Sequence, residues 1–290
     1  MNKTASPYAA PLVSLMLLAG VILIWYAATL PPPAPVYTPE QREYAVLMGD
    51  LPENGSEVAP PPRPSDFPTP AAFARLSWAH LSHPFYDNGP NDKGIGIQLG
   101  YSLLRVLAGY LLAVAVAIPL GYAIGMSPLL SKALGPYIQL LKPISPLAWM
   151  PIALYTIKDA NFSAIFVIFI CSLWPMLMNT AFGVANVRKD WLNVAATLEV
   201  KPLRKAFQII LPAAAPAILT GMRISMGIAW LVIVAAEMLV GGTGIGYFVW
   251  NQWNNLSLGN VVFAVLMIGI VGMLLDMGFG LLQKKVSYRE

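Results

Sequence analysis

Apolar residues in this chain gather into long runs separated by short polar stretches, and runs of about twenty predict helices that cross a membrane. Six runs are long enough, covering 11–30, 98–125, 136–157, 162–184, 213–240 and 260–282. The expected fold class is an all-α membrane protein with six transmembrane helices. The first run has only Lys3 before it and proline-rich sequence after it, so it reads as an uncleaved helix and not as a signal peptide. The chain then divides into an N-terminus (1–10), a first transmembrane helix (11–30), a proline-rich segment (31–97), a five-helix core (98–283) with a polar loop at 186–212, and a tail (284–290).

Lys and Arg in the short loops set the orientation, because they concentrate on the cytoplasmic side. With the N-terminus inside, cytoplasmic segments hold Lys3, Lys132, Arg188, Lys189, Lys201, Arg204, Lys205, Lys284, Lys285 and Arg289, while the short outer loops hold only Lys158. Both termini are expected in the cytoplasm of a bacterial cell, with the chain a multi-pass protein of the inner membrane. The segment 31–97 is then extracytoplasmic. Its runs Pro31-Pro-Pro, Pro60-Pro-Pro and Pro68-Thr-Pro70 favour extended chain with little regular structure. It is acidic at Glu40, Glu43, Asp50, Glu53, Glu57 and Asp66, and the Asn54-Gly-Ser56 sequon is discounted in a chain that otherwise looks bacterial.

Composition agrees with this class. Of 290 residues, 57% are hydrophobic and 11% charged, against roughly 25% charged in soluble domains. The net charge of +4 follows from membrane topology, so no nucleic-acid partner is expected. A lone Cys171 excludes a disulfide within one chain. His80 and His83 have no spaced carboxylates beside them, so no metal site is expected. Gly241-Gly-Thr-Gly-Ile-Gly246 follows a membrane helix and not a strand, which makes it a turn between the fifth and sixth spans and not a nucleotide loop. No phosphate-binding loop and no catalytic constellation is present. Any energy that drives this protein must come from elsewhere.

Charges inside spans each cost on the order of 3 kcal/mol even on lenient scales. They are Arg105, Lys142, Arg223, Glu237 and Asp276. Arg223 and Asp276 fall at similar depth and are expected either to pair or to contact solute. Glu237 lies fourteen residues beyond Arg223, too far along one helix for those two to neutralise each other. For an anionic solute, Arg105, Lys142 and Arg223 are the candidate attractors, and Asn179 and Glu237 complete the expected translocation path. Gly121-x-x-x-Gly125 permits close helix contact.

In the polar loop, Trp191, Leu192, Val194, Ala195, Leu198 and Val200 recur at near-helical spacing up to Pro202. A short helix over 191–203 is predicted at the membrane face, with Lys201, Arg204 and Lys205 beyond it. These residues resemble the cytoplasmic loop of type I ABC importer permeases, whose pattern is Glu-Ala-Ala, three residues, Gly, then Ile-x-Leu-Pro. Aligned on Pro212, the chain offers Asn193, Val194, Ala195 and Ala196, then Leu198, Glu199 where the family has glycine, and Ile209-Ile-Leu-Pro212. Tyr101-Ser-Leu-Leu-Arg-Val-Leu-Ala-Gly-Tyr110, Pro143-Ile-Ser-Pro-Leu-Ala-Trp-Met-Pro151, Asn179-Thr-Ala-Phe-Gly183 and Ala229-Trp-Leu-Val-Ile-Val-Ala-Ala-Glu237 look like the branch importing nitrate, bicarbonate, taurine and alkanesulfonates. Pro84-Phe-Tyr-Asp-Asn-Gly-Pro-Asn-Asp-Lys93 and 237–246 are most similar to nitrate permeases.

The resemblance implies a MetI-like permease fold and no enzymatic activity on this chain. It implies ATP and Mg on two ATPase subunits, identical or not, that engage the loop 186–212 through Asn193, Val194, Ala195, Ala196, Leu198, Glu199, Lys201, Arg204 and Pro212. A second permease copy and a periplasmic or lipid-anchored solute-binding protein complete the assembly. The rival from another class is a proton- or ion-coupled secondary carrier using Glu237 and Asp276, but no repeat between the halves supports it.

Overall fold

A computed structural model describes residues 9–30, 39–48 and 67–286. The expectations for Lys3, for the prolines at 31–33 and 60–62, for Asp50, Glu53, Glu57 and Asp66, for the sequon and for Arg289 lie outside these residues. The chain divides into two compact units, residues 1–79 and 80–290.

In the first unit, α1 (Ala9–Ala28) is apolar on every side and buries none of its residues, as suits a helix with lipid around it. Near its end the Trp25 indole donates to the Pro68 carbonyl at 2.9 Å and meets Phe67 and Phe73 edge-on. Two further helices, α2 (Pro39–Leu47) and α3 (Pro70–Ser82), stand where the proline-rich reading expected little regular structure. Prolines at 39 and 70 begin these helices instead of preventing them, since the first turn needs no proline N–H. The Thr69 hydroxyl accepts from the Ala72 N–H at the start of α3.

The second unit is a helical bundle with α7 at its centre. Helix α4 (Ile95–Met126) packs along one side of α7 (Ala160–Ala185), and α10 (Leu211–Val240) along another. Close approach is built into the sequence. Gly109, Ala113, Ala117, Gly121 and Gly125 recur every four residues on α4, which puts them on one face. A methyl added at Gly109, Gly121 or Gly125 would lie 2.7, 2.7 or 2.6 Å from a carbonyl oxygen of α7. With no hydrophobic drive between helices in lipid, such backbone proximity supplies the dispersion contacts that hold spans together. Polar ties add to it: Tyr110 donates to the Met222 carbonyl at 3.1 Å and Ser225 to the Ser172 carbonyl at 2.7 Å.

Five helical stretches among the described residues are long and apolar enough to cross a membrane, the fifth being α12 (Leu258–Val286). The sixth differs from expectation. The run 136–157 is two helices, α5 (Pro128–Leu141) and α6 (Pro146–Ile157), bent by 92°. Pro143 and Pro146 remove two backbone donors, and Pro146 holds Ser145 in extended conformation at ψ 137°. The fifth span also starts earlier than position 213. Helix runs without a break from Pro202 to Val240, through α9 (Pro202–Lys205) and a π-helical turn at Ala206–Ile210. That turn accommodates Pro212, which has no N–H to return to the preceding turn.

Candidate functional site

At the end of the bundle where α7 finishes and α10 begins lies α8 (Lys189–Thr197), two residues earlier at its start and six shorter at its end than the predicted 191–203. Its inner face is small and apolar. Ala195 is buried, and Leu192 packs on Val184, Val187, Ile210, Ala214 and Ile218. Its exposed side carries an apolar row beside polar Asp190, Asn193 and Thr197: Trp191, Val194 and Leu198 stand 45%, 59% and 70% exposed at positions i, i+3 and i+7. Leu203 and Phe207 continue the exposed surface, with Lys201 and Arg204 exposed beside them. An apolar i, i+3, i+7 row is the pattern by which a helix lies in another protein's groove.

The end of α8 explains the departure at position 199. The Val200 N–H returns to the Ala195 carbonyl at 3.0 Å and the Glu199 N–H to the Ala196 carbonyl at 3.1 Å, the paired bonds of a Schellman turn. Such a turn needs a left-handed residue, and Glu199 takes it at φ 50°. The glycine pattern of the resembled family therefore has a backbone reason, which Glu199 meets at a cost of about 1 kcal/mol. Asn193 and Ala196 are exposed on α8, and Pro212 is exposed at the start of α10.

The in-span charges sort into two sets. Arg223 binds Asp276 in a bidentate pair, Nε to Oδ1 and Nη2 to Oδ2 at 2.6 Å each, with side chains 39% and 55% exposed. A groove of about 480 Å³ runs beside them past Gly280, Gln283 and Lys284. Lys142 is exposed at the α5–α6 bend, and Asn179 turns back to the Pro175 carbonyl at 2.8 Å.

Arg105 and Glu237, 132 residues apart, meet at the opposite end of the bundle at 2.7 Å. Glu237 is 2% exposed and Arg105 12%. Arg105 also donates to the Thr243 carbonyl at 2.6 Å and to the Asn161 side chain at 2.6 and 3.0 Å. Around the carboxylate stand the Ser102 hydroxyl at 2.8 Å and the Gly246 N–H at 3.0 Å. Arg105 thus donates to three protein partners, Asn161, Glu237 and Thr243. Sequence reading missed Ser102, Asn161 and Thr243, for no local spacing links residues on separate helices.

Residues 113–288 match the family described as binding-protein-dependent transport system inner membrane component. The chain belongs to this family. The permease is 45% identical over 226 residues to the nitrate import permease protein NrtB of Synechocystis sp., covering 78% of this chain and 82% of that one. It is 46% identical over 208 residues to the bicarbonate transport system permease protein CmpB of the same organism, covering 71% and 74%. Among solved structures, a chain of the inward-facing MetNI methionine ABC transporter shares the fold at TM-score 0.58 and 12% identity, over 65% of this permease and 94% of that chain. The permease is a multi-pass inner membrane protein and the non-catalytic membrane subunit of an ABC importer.

Proposed function

We propose that this permease carries nitrate inward across the cytoplasmic membrane, driven by ATP hydrolysed on two separate subunits that dock at α8. The observation that carries the docking is the row Trp191, Val194 and Leu198, flanked by Lys201 and Arg204, which stays exposed among the described residues. Charge supports the orientation: Arg188, Lys189, Lys201, Arg204 and Lys205 cluster at this end while Lys158 lies at the other, which favours a cytoplasmic α8 and agrees with the proposal of two cytoplasmic termini. Two copies of the permease enclose the path, and a solute-binding protein delivers the anion from outside.

ATP binding draws the two docked α8 helices together and turns the path outward; hydrolysis returns it. Moving such an equilibrium from 1:99 to 99:1 takes about 5.5 kcal/mol, within reach of ATP-linked closure. Arg223 and Asn179 are the polar groups proposed to face the solute, since Arg223 stays 39% exposed in its pair with Asp276 while the Arg105–Glu237 pair is buried. Likeness to NrtB across most of both chains supports nitrate. Bicarbonate is the second reading, favoured by the similar identity to CmpB.

Uptake into vesicles carrying the assembled complex tests both. ATP-dependent accumulation of nitrate, with less of bicarbonate, nitrite or taurine, is expected. Uptake that follows a proton gradient and ignores ATP would make the protein a secondary carrier instead.

A further inference from the structure

Helix α11 (Ile245–Asn254) has ten residues, half of what a membrane crossing needs, and polar side chains fix its position. At its start the Gly244 N–H donates to Gln98 Oε1 at 2.6 Å, the Ile245 N–H to Ser102 Oγ at 2.9 Å and the Gly246 N–H to Glu237 Oε2 at 3.0 Å. These are donors that a helix start leaves without internal partners. The carboxylate also sits where the helix dipole favours an anion. Farther along, Tyr247 donates to Asn91 at 2.8 Å, and Gln252 accepts from Asn260, whose other amide atom meets His80 at 2.8 Å. The opposite face shows Trp250 and Trp253, 39% and 54% exposed.

The chain enters α11 through Gly241 and Gly242, at φ 79° and 93°, a turn that glycine makes without strain. Arg105 makes the buried Glu237 carboxylate tolerable, since breaking a buried pair leaves an uncompensated charge, and it ties the Thr243 carbonyl of the same turn. Gly244 is required for the same reason, because a methyl there would occupy the space of the Glu237 carboxylate.

We propose that Glu237 and Arg105 are positioning residues for solute delivery: they hold α11, with its exposed tryptophans, in the orientation that the loaded solute-binding protein meets on the outer side. This rests on the importer reading above. Neither residue touches the solute; each acts through the placement of α11.

The test uses the full complex of permease, ATPase subunits and binding protein in lipid vesicles, with ATP hydrolysis followed against the concentration of nitrate-loaded binding protein. Glu237→Ala and Gly244→Ala are each expected to raise the half-saturating concentration roughly tenfold, equivalent to about 1.4 kcal/mol, while the maximal rate is retained. Millimolar formate, a planar carboxylate that fits the vacated space beside Arg105, should restore Glu237→Ala and leave Gly244→Ala impaired. Where Glu237→Ala assembles poorly, Glu237→Gln keeps an acceptor for the Gly246 N–H and is expected to give an intermediate rise.

An unchanged half-saturating concentration in assembled variants overturns the proposal. So does a loss of maximal rate in step with folded protein, which is what a merely structural pair would give. A wild-type complex that no loaded binding protein stimulates would remove the importer reading itself, an outcome distinct from variants that behave as wild type.

Discussion

Replacing Gly121 by alanine puts one methyl group into the α4–α7 contact, and the structure sets what that costs. The added carbon would lie 2.7 Å from the Leu177 carbonyl oxygen and 2.8 Å from the Thr180 Cβ. Ordinary carbon–oxygen contacts begin near 3.3 Å, so the two helices must part locally by about 0.6 Å. A gap of that size forfeits about a quarter to a half of each neighbouring contact's dispersion well, and Ala113 and Ala117 on the same face would share the loss. Overpacking of this kind costs about 1–3 kcal/mol. Alanine in a helix interior, however, gains about 1 kcal/mol over glycine, which would blur a single measurement. Gly100 on the same helix removes the ambiguity, because nothing lies within 4 Å of its added methyl. Gly100→Ala carries the propensity gain alone. The difference between the two variants should therefore be about 1–3 kcal/mol, with Gly121→Ala the less stable. Unfolding in mixed detergent micelles, followed by loss of helical circular dichroism, measures it. Equal midpoints for the two variants, or a more stable Gly121→Ala, would refute the close-packed ladder.

Four more outcomes can be measured. Glu199→Gly should relieve a left-handed residue and stabilise the α8 turn by about 0.5–1 kcal/mol, part of the gain being lost to the freer unfolded chain; slower exchange of the Val200 amide would register it, and faster exchange would contradict it. Ala196→Trp should leave the bundle folded and abolish ATP-coupled uptake, whereas Ala195→Trp, buried against the bundle, should cost folded protein; equal behaviour of the two would remove the assigned faces. Arg223→Gln should depress uptake in an assembled complex, and if the Arg223→Gln, Asp276→Asn double variant recovers full uptake, the pair is structural and the path assignment fails. In the outer hairpin, the Lys93 ammonium and then the Gly89 N–H hold the Asp87 carboxyl below its usual range. Its folded pKa being depressed, that contribution to stability is complete above the unfolded value of about 3.9 and fades as pH falls through the folded value. Carbon-13 NMR of the labelled Asp87 carboxyl should show it titrating below a free aspartate, and a Lys93→Met variant that keeps the wild-type titration would exclude this pair as the cause.

Much of this architecture was legible before any coordinates. Spans separated because apolar runs of twenty have one common solution in a bilayer, and the basic loop was visible because lysine and arginine follow topology. The four-residue recurrence from Gly109 to Gly125 is also present in the sequence, with Gly121-x-x-x-Gly125 its plainest part. Other features were hidden for physical reasons. Hydropathy averages across Lys142-Pro-Ile-Ser-Pro146, so two helices at 92° read as one span. The helix signals at Thr69-Pro70 were masked by a proline count that treats every proline as a breaker. Left-handed backbone at Glu199 carries no composition signal, since glutamate is seldom found there. Pairing of Arg105 with Glu237 depends on which faces of α4 and α10 meet around α7, and depth along a single helix cannot supply that. Depth did place Arg223 near Asp276, because both count from the same membrane face.

The most direct trial of the central claim is to seal the purified permease in vesicles with ATP inside and all ion gradients collapsed, with and without its ATPase subunits, and to follow labelled nitrate given with binding protein. Accumulation should need the ATPase subunits and stop when Val194 and Leu198 on the outer face of α8 are both replaced by aspartate. Accumulation by the permease alone, or by the aspartate variant at the wild-type rate, would contradict the account.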